Sequence, residues 1–527
     1  MTLPPGVSRR NFSAALRRFA AVVGEEGVFS AADEVALYRD AYSPFWDEEE
    51  ERVVAAAVAP QTVEQVQEIL GIASRFQIPI YPISTGRNLA YGGAAPVMSG
   101  SVVLDLKRMN RVLEVSERHA YALVEPGVSY FDLYRHIQDR GLRLMLDVPT
   151  PGWGSLIGNA LDRGVGLTPM RDHFAAQCGM EVVLADGSVL RTGMGAIPGA
   201  ETWQQYKYGI GPYIDGLFSQ SNFGVVTKMG FWLLPEPELV RGLRVSVPRH
   251  DDVVPLLDIV SSLVYSGVID SQFSISSPVL HGSADAELRA LLRSADGGTA
   301  EQWDRYALRR DLGFWDATFS FYGPEPIVNA RWTHVVERCR GLPGVRFADA
   351  PRYRFPMSLE ERQRVVDKEA LGIPSLANFG GRSASEPKVA DGHMDFSVVV
   401  PMSGEAVLEA LKVFAREFAE SGVDVGMGAI TSFHARTLTF ISSFPILRDD
   451  PAANRRMRAA YERAVAVATE RGWGQYRTHA AYMDLALAAY AFNDDALSHF
   501  HARLKDAVDP NGILAAGRYG IWPGHMR

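Results

Sequence analysis

The chain has 527 residues, of which 47% are hydrophobic and 22% charged, as in an ordinary globular protein. This length exceeds what one compact core usually supports, so we expect two domains. The formal net charge of −9 argues against nucleic acid or an anionic membrane as the main partner. Two widely separated cysteines, Cys178 and Cys339, exclude a disulfide framework and favour a reducing, cytoplasmic location.

The N-terminal segment shares with export signals only its twin arginines, Arg9 and Arg10. Charged residues soon interrupt the apolar core that such a signal needs. Apolar residues recur instead at helical spacing, at Phe12, Leu16, Phe19 and Val23. We therefore predict an amphipathic surface helix here, and no apolar run elsewhere reaches the length of a membrane span.

The first half of the chain is predicted to be mixed α/β. Its strand-like runs include RVVAAAVAP, IPIYPIS, SVVLDL and YALVEPG. Between the first two, Thr62 is expected to cap a helix, with Gln65 placed for a capping box. A hairpin, MEVVLADGSVLRTG, is expected to turn at Asp186-Gly187. No G-x-G-x-x-G motif follows a strand, so a Rossmann domain is not indicated.

The pattern changes after LLPEPELVRG. A strand followed by an amphipathic helix then occurs three times, and the three strands are GLRVSVP, ATFSFYG and MDFSVVVP. This weak internal repeat predicts an α+β domain over residues 238–473.

Three glycine-rich segments lie in the first half: PISTGRNLAYGGAAP (82–96), PGWGSLIGNALDRGVG (151–166) and YGIGPYIDGLFSQSNFGVVTKMG (208–230). Consecutive backbone N–H groups in such a turn form an anion-binding nest that suits a pyrophosphate. The absence of a Gly-Lys-Ser/Thr sequence argues against a nucleotide triphosphatase. The first segment alone could be an ordinary turn, but three together predict a long ligand wrapped by backbone.

Two polar motifs lie further along the chain. Tyr476 and Arg477 are adjacent, and a phenol with a guanidinium can stabilise an anionic oxygen, although a core tyrosine beside a surface arginine is an alternative. His393 begins a predicted strand, with Asp395 on the same face. It could be structural, a base, a metal ligand or a covalent nucleophile. No second histidine or cysteine lies at ligand spacing, so we predict no metal.

Together these motifs resemble the vanillyl-alcohol oxidase and 4-cresol methylhydroxylase family of flavoproteins. The resemblance covers nearly the whole chain and rests on STGRNLAYGGAAP, LDRGVGLTP, RTGMGA, GLFSQSN with GVVTKMG, YRTH and DPNGIL, in this order. It implies an α+β, two-domain FAD-binding fold, with the FAD-binding domain at 1–237 and 474–527 and an α+β cap domain at 238–473. We also expect a homodimer or a higher homo-oligomer.

The resemblance implies that Tyr91, Tyr476 and Arg477 bind a phenolate, and that His393 bonds covalently to the 8α-methyl of FAD. The cresol methylhydroxylase branch uses a tyrosine for that bond, so a histidine favours the oxidase branch. The other implied cofactor contacts are Pro82, Ser84, Thr85, Gly86, Arg87, Asn88, Leu89, Pro149, Gly154, Ser155, Gly158, Asn159, Gly164, Gly166, Gly224, Val226 and Arg518. The expected substrate-pocket residues are Leu167, Ser397, Gly428 and Ile430.

Two positions depart from the family pattern. Thr150 in DVPTPGWG replaces the active-site aspartate, and Leu167 replaces the usual aromatic residue. Neither change touches the implied flavin or phenolate contacts. Threonine cannot take a proton at neutral pH, so Asp395 is our candidate for a relocated base.

The resemblance implies oxidation of para-substituted phenols, such as 4-alkylphenols, 4-hydroxybenzylic alcohols and eugenol-like guaiacols. A hydride would pass to FAD through a para-quinone methide, with O₂ as acceptor and hydrogen peroxide as product. One alternative is a dehydrogenase that passes electrons to a cytochrome or a copper protein. Another is a flavin- and phenol-binding protein that has lost turnover through the change at Thr150.

Overall fold

A computed structural model describes residues 2–277, 280, 286–292, 294, 298–376, 390–423 and 425–527. The helices in this part of the chain are α1 (Arg9–Val23), α2 (Ala32–Ala36), α3 (Val63–Phe76), α4 (Tyr130–Asp139), α5 (Leu156–Leu161), α6 (His173–Ala176), α7 (Val253–Tyr265), α8 (Ala286–Leu292), α9 (Ala300–Arg309), α10 (Glu325–Cys339), α11 (Leu359–Arg364), α12 (Gly404–Ser421), α13 (Pro451–Glu470), α14 (Met483–Ala488) and α15 (Phe492–Val508).

The strands of the described residues form four sheets. Their bounds are β1 (Val28–Phe29), β2 (Ala56–Val58), β3 (Ile80–Ile83), β4 (Val102–Asp105), β5 (Val112–Ser116), β6 (Tyr121–Val124), β7 (Leu144–Met145), β8 (Gln177–Val183), β9 (Val189–Arg191), β10 (Val225–Trp232), β11 (Leu234–Pro235), β12 (Leu239–Val247), β13 (Phe273–Ser276), β14 (Trp315–Gly323), β15 (Arg346–Arg354), β16 (Gly392–Pro401), β17 (Gly426–His434), β18 (Thr437–Ile446) and β19 (Gln475–Arg477).

The N-terminal sheet has the order β1-β2-β4-β3 and is parallel except at β1. Helix α1 buries Phe12, Phe19 and Val23, which confirms the predicted amphipathic helix. Helix α3 begins after Thr62, whose hydroxyl accepts from the Gln65 N–H at 3.3 Å. The first glycine-rich segment follows the carboxyl end of β3. Ligands commonly bind at this edge of a parallel sheet.

A five-stranded antiparallel sheet follows, in the order β5-β6-β10-β8-β9. Its β8–β9 hairpin turns at Asp186-Gly187 as predicted, because the Leu184 N–H donates to the Ser188 carbonyl at 2.9 Å and Gly187 adopts a φ of 83°. The C-terminal segment returns to the first sheet, where the Ala515 N–H donates to the Ile80 carbonyl at 2.7 Å. The C-terminal segment thus packs against strand β3 of the N-terminal sheet.

The middle of the chain forms an eight-stranded antiparallel sheet, in the order β15-β12-β14-β13-β17-β18-β16-β19. The three predicted strand–helix pairs are β12–α7, β14–α10 and β16–α12. One face of the sheet packs on helices through aromatic contacts such as Phe396 against Phe414. Strand β19 pairs with β16, Ser397 opposite Arg477, so the cap sheet extends to residue 477, past the predicted boundary at 474. Among the described helices, none has the length and apolar character needed to cross a membrane.

Candidate active site

A cleft with roughly 1120 Å³ of empty space lies between the N-terminal sheet, the five-stranded sheet and strand β19. All three glycine-rich segments reach it, which agrees with the prediction of one ligand wrapped by backbone. The predicted cofactor residues that line it are Pro82, Ser84, Thr85, Gly86, Arg87, Asn88, Gly154, Ser155, Gly158, Asn159, Gly224, Val226 and Arg518. The predicted cofactor residues outside its lining are Leu89, Pro149, Gly164, Gly166 and His393.

The backbone of the first segment fits a pyrophosphate. The N–H groups of Thr85, Gly86, Arg87 and Asn88 donate to no group in the described part of the chain, and Gly86 adopts a φ of 65°. Four successive free donors at the edge of a cleft form an anion-binding nest. A Cβ on Gly158 would collide with the Ser84 hydroxyl, so glycine lets the second segment approach the first. The residues present therefore fit the polar part of FAD.

A buried polar network lies behind the cleft wall. His173 is fully buried, with Nδ1 hydrogen-bonded to Asn159 Oδ1 and Nε2 lying 3.4 Å from an Asp147 carboxylate oxygen. A Cβ on Gly164 would collide with the Asn159 side chain, and a Cβ on Gly166 would collide with Asp147. These two glycines were expected to contact the cofactor. In the structure both make room for this network, which sequence reasoning missed because His173 stands in no motif, and their contact with the cofactor stays a prediction.

The predicted phenolate-binding residues converge on one place. Tyr91 lies on a short 3₁₀ turn, Leu89–Tyr91, and its hydroxyl is 2.9 Å from the Ser397 hydroxyl. The Arg477 guanidinium lies 4.2 Å from the centroid of the Tyr91 ring and donates to the Tyr476 hydroxyl at 3.0 Å. Three segments far apart in sequence thus bring two phenols, a hydroxyl and a cation together.

The charge states of this cluster follow from burial. Burial raises the pKa of Tyr91 well above its usual value, and nearby Tyr476 and Asp395 raise it further. Tyr91 is therefore a neutral O–H donor at physiological pH. Burial acts to lower the pKa of Arg477, but the surrounding ionisable groups, Tyr476 first and Asp162 among them, together outweigh it and raise that pKa, so the guanidinium is a permanent cation. Its buried Nε has no hydrogen-bond partner among the described residues.

Strand β16 carries three predicted residues on one face. His393, Asp395 and Ser397 alternate along it, and His393 Nε2 lies 3.7 Å from Asp395 Oδ1. Asp395 also accepts from the Ser443 hydroxyl at 2.7 Å, and the His393 ring lies 5.3 Å from that of Tyr42. The strand therefore connects His393 to Tyr91 through residues that share its face. No group of three or more metal-ligating side chains occurs in the described ranges.

The predicted pocket residue Ile430 requires a correction. It pairs with Phe440, which pairs with Val398, and this row faces the helices, so Ile430 is only 1% exposed in the cap core. The row that contains Ser397 includes Ile441 and Ala429 instead. An irregularity in β17 between 426 and 429 shifts the register. A single-residue shift moves a side chain to the other face of a sheet.

The remaining predicted residues lie as follows. Gly428 adopts a φ of 46° in that irregular stretch, and a Cβ there would collide with the Ile441 carbonyl. Thr150 is exposed and Leu167 is half-buried.

Sequence reasoning also missed Asp162, which lines the cleft and is 5% exposed. Its carboxylate accepts from Asn88 Nδ2 at 2.8 Å and forms an ion pair with Arg518. It also missed Gln220, whose amide donates to the Tyr476 carbonyl at 2.8 Å and ties the cap sheet to the cleft. Asp162 lies in LDRGVGLTP and Gln220 lies in GLFSQSN, but no spacing rule predicts contacts between residues so far apart in sequence.

Two family models match the chain. Residues 54–193 match an FAD binding domain, and residues 360–519 match the C-terminal domain of FAD linked oxidases. The first match contains two of the glycine-rich segments of the cleft, and the second contains β16, β19 and Arg518. Fold, cleft and family models together define an FAD-linked oxidoreductase.

Individual relatives narrow this class. Over 522 residues the chain is 34% identical to the 4-cresol dehydrogenase (hydroxylating) flavoprotein subunit of Pseudomonas putida, covering 98% of this chain and 97% of that protein. It is similar to the crystal structure of p-cresol methylhydroxylase with substrate bound, with a TM-score of 0.87, 33% identity and 99% of each chain covered. It is also similar to 4-ethylphenol oxidase from Gulosibacter chungangensis, with a TM-score of 0.85, 31% identity and 100% of each chain covered. The chain belongs to the vanillyl-alcohol oxidase and 4-cresol methylhydroxylase family of flavoproteins.

Proposed function

We propose that this protein oxidises para-substituted phenols, with FAD as the hydride acceptor. The observation that carries the proposal is the Arg477 cation, whose buried Nε lacks an acceptor beside the hydroxyls of Tyr91 and Tyr476. An unsatisfied buried donor on a permanent cation favours an anionic oxygen as its ligand. Relatives named for 4-cresol and 4-ethylphenol support a small phenol as that ligand.

In this proposal the substrate binds through its phenol oxygen. One cation and two O–H groups favour the ionised form and lower the pKa of the bound phenol. Tyr91 can donate because its own pKa is raised, so it stays protonated when the substrate ionises. Arg477 supplies the charge. The side chains therefore hold the substrate as phenolate.

The phenolate ring then expels a hydride from its benzylic carbon and becomes a para-quinone methide. FAD, when bound, supplies the acceptor for that hydride. The methide takes up water or loses a proton, which gives an alcohol, an aldehyde or an alkenyl phenol. Orientation and phenolate stabilisation by the protein account for most of the lowered barrier in this scheme.

We propose Asp395 as the base that guides the second step. Thr150 is exposed and cannot take a proton at neutral pH. Asp395 lies close enough to Tyr91 to raise its pKa, and it shares a strand face with Ser397. In Asp395→Asn, 4-ethylphenol should give less hydroxylated and more alkenyl product, and Thr150→Asp in that background should restore hydration. An unchanged product ratio in Asp395→Asn means that water alone suffices.

The proposed electron acceptor is O₂, giving hydrogen peroxide. The named relatives divide here, one being a dehydrogenase and another an oxidase. A histidine at 393 favours the oxidase branch. Stopped-flow reoxidation of the reduced protein in air distinguishes the two, because an oxidase reoxidises rapidly and a dehydrogenase waits for a cytochrome or copper protein.

We further propose that His393 bonds covalently to FAD. Acid precipitation of the wild type should then leave a yellow pellet and a fluorescent band on a denaturing gel. His393→Ala should release its FAD on precipitation, whereas the control His434→Ala, which changes a half-buried histidine beside Asp172, should retain it. Complete release of flavin from the wild type contradicts the assignment.

An anaerobic substrate screen tests the function itself. Vanillyl alcohol, eugenol and 4-ethylphenol are mixed with oxidised protein, and the flavin absorbance is followed. At least one should bleach it. A protein that binds phenols without turnover would show only ligand-induced spectral shifts with all three.

A further inference from the structure

Two arginines of the cleft differ in their partners. Arg518 forms an ion pair with Asp162 and donates to the Tyr81 hydroxyl at 2.8 Å. Arg477 donates to the hydroxyl of Tyr476, and its Nε has no partner in the part of the chain that the structure describes. Both side chains line the same cleft. Arg518 is therefore neutralised by a carboxylate at contact distance, whereas Arg477 bonds to no carboxylate in the described ranges.

The position of Asp162 is tightly specified. It ends helix α5, where its N–H donates to the Gly158 carbonyl at 3.2 Å. Its carboxylate also accepts from Asn88 Nδ2 at 2.8 Å and from the Tyr519 hydroxyl at 3.4 Å. One carboxylate thus connects the first glycine-rich segment, the second and the C-terminal segment. It also acts on Arg477 through space, since it is among the charges that raise the pKa of that residue.

We propose that Asp162 is a positioning residue that divides the charge of the cleft between its two arginines. It neutralises Arg518 and holds that side chain beside Asn88 at the cofactor cleft. It leaves Arg477, which contacts no carboxylate among the described residues, as the cation that receives the phenolate. For its phenol arm this inference rests on the proposed function, whereas its flavin arm requires only that the protein binds FAD.

The sign of each effect follows from charge. In Asp162→Asn, Arg518 becomes an uncompensated cation, so the cleft favours any species that gains negative charge. The midpoint potential of the flavin should rise and the pKa of a bound phenol should fall. In Arg518→Gln, Asp162 loses its cation and adds negative charge near Arg477. Both quantities should then move in the opposite direction, and the double variant should return close to the wild type.

The experiment uses the FAD-loaded protein and 4-chlorophenol, which has no benzylic hydrogen and cannot be oxidised by this route. Difference spectra against pH give the pKa of the bound phenol, and equilibration with redox dyes gives the flavin potential. We expect Asp162→Asn to lower the phenol pKa by about one unit, which is a tenfold change in its ionisation constant. We expect Arg518→Gln to raise it by a similar amount.

Two controls separate charge from structural damage. Asp162→Glu keeps the charge, so it should shift both quantities much less than Asp162→Asn does. Asp349→Asn removes a carboxylate that is paired to Arg241 in the cap domain, and it should shift neither quantity. Shifts of the same sign in Asp162→Asn and Arg518→Gln would overturn the proposal. So would a double variant whose phenol pKa and flavin potential depart further from the wild type than those of either single variant. If Asp162→Asn does not bind FAD, Arg518→Gln alone tests the proposal. A raised phenol pKa and a lowered flavin potential support it, and shifts in the other direction overturn it.

The two proposals fail separately. A wild type that does not bind 4-chlorophenol contradicts the phenolate site, while the flavin potentials of the variants still decide the role of Asp162. A wild type that binds 4-chlorophenol, with variants that leave both quantities unchanged, contradicts the role of Asp162 alone.

Discussion

Loss of the charge of Arg477 is expected to be the most damaging single change in the phenol site. The guanidinium lies 4.2 Å from the Tyr91 ring, donates to the Tyr476 hydroxyl and has a buried, unpartnered Nε. In Arg477→Gln the phenolate would lose its cation. Loss of a charged partner from a buried pair costs about 2–5 kcal/mol. That corresponds to a fall of roughly 30- to 5,000-fold in kcat/KM.

The conservative variant Arg477→Lys separates charge from shape. Lysine keeps the cation but loses the planar stack on Tyr91, which is worth about 1 kcal/mol, or roughly fivefold in rate. The kcat/KM of Arg477→Lys should therefore be far closer to that of the wild type than the kcat/KM of Arg477→Gln is. The pKa of bound 4-chlorophenol should rise strongly in Arg477→Gln and little in Arg477→Lys.

The assay is steady-state turnover of a 4-alkylphenol, with flavin content measured for every variant. Arg436→Gln is the matched control, since that guanidinium also stacks on a tyrosine, 4.5 Å from the Tyr265 ring, at the protein surface. It should retain wild-type kinetics. A kcat/KM for Arg477→Gln within about threefold of the wild type, with full flavin content, would refute the phenolate model.

Three further outcomes follow. Tyr91→Phe removes a buried neutral donor to the phenolate, about 1.5–3 kcal/mol, so kcat/KM should fall ten- to hundredfold; unchanged kinetics would remove Tyr91 from the site. Gly158→Ala should push the Ser84 hydroxyl into the cleft and weaken FAD binding, measured as flavin per protein, and adding Ser84→Ala should restore it. Glu181 on β8 forms ion pairs with Arg191 and Lys228. Burial acts to raise the pKa of Glu181, but these two ion pairs outweigh burial and lower that pKa below the usual 4.5. Its stabilising contribution is therefore complete above about pH 4.5 and lost as pH falls through the folded value. Glu181→Gln should lower Tm at neutral pH, and the difference from the wild type should shrink in acid.

The features that could be predicted from the sequence are those with local signals. Glycine-rich segments mark close backbone approach, and three of them meet at one cleft. Strand and helix periodicities marked the pairs β12–α7, β14–α10 and β16–α12 correctly, because each buries one face. The pair Tyr476-Arg477 was identified because its chemistry is carried by adjacent residues.

The features that could not be predicted depend on residues far apart in sequence. Ile430 was placed in the pocket, but an irregularity in β17 turns its side chain to the cap core. Gly164 makes room for the Asn159 side chain, a packing role that its own segment does not indicate. The ion pair of Asp162 with Arg518 joins residues 356 positions apart. No periodicity within one segment reports such contacts.

The central claim is that a hydride leaves the benzylic carbon of a bound phenolate. It is tested most directly by single-turnover reduction of the flavin without oxygen. 4-Ethylphenol is compared with the same compound carrying two deuterium atoms on the benzylic carbon. We predict that both bleach the flavin and that the deuterated substrate does so more slowly, because its C–D bond breaks in the reduction step. No bleaching by either compound, or equal rates with both, would contradict the proposed reaction.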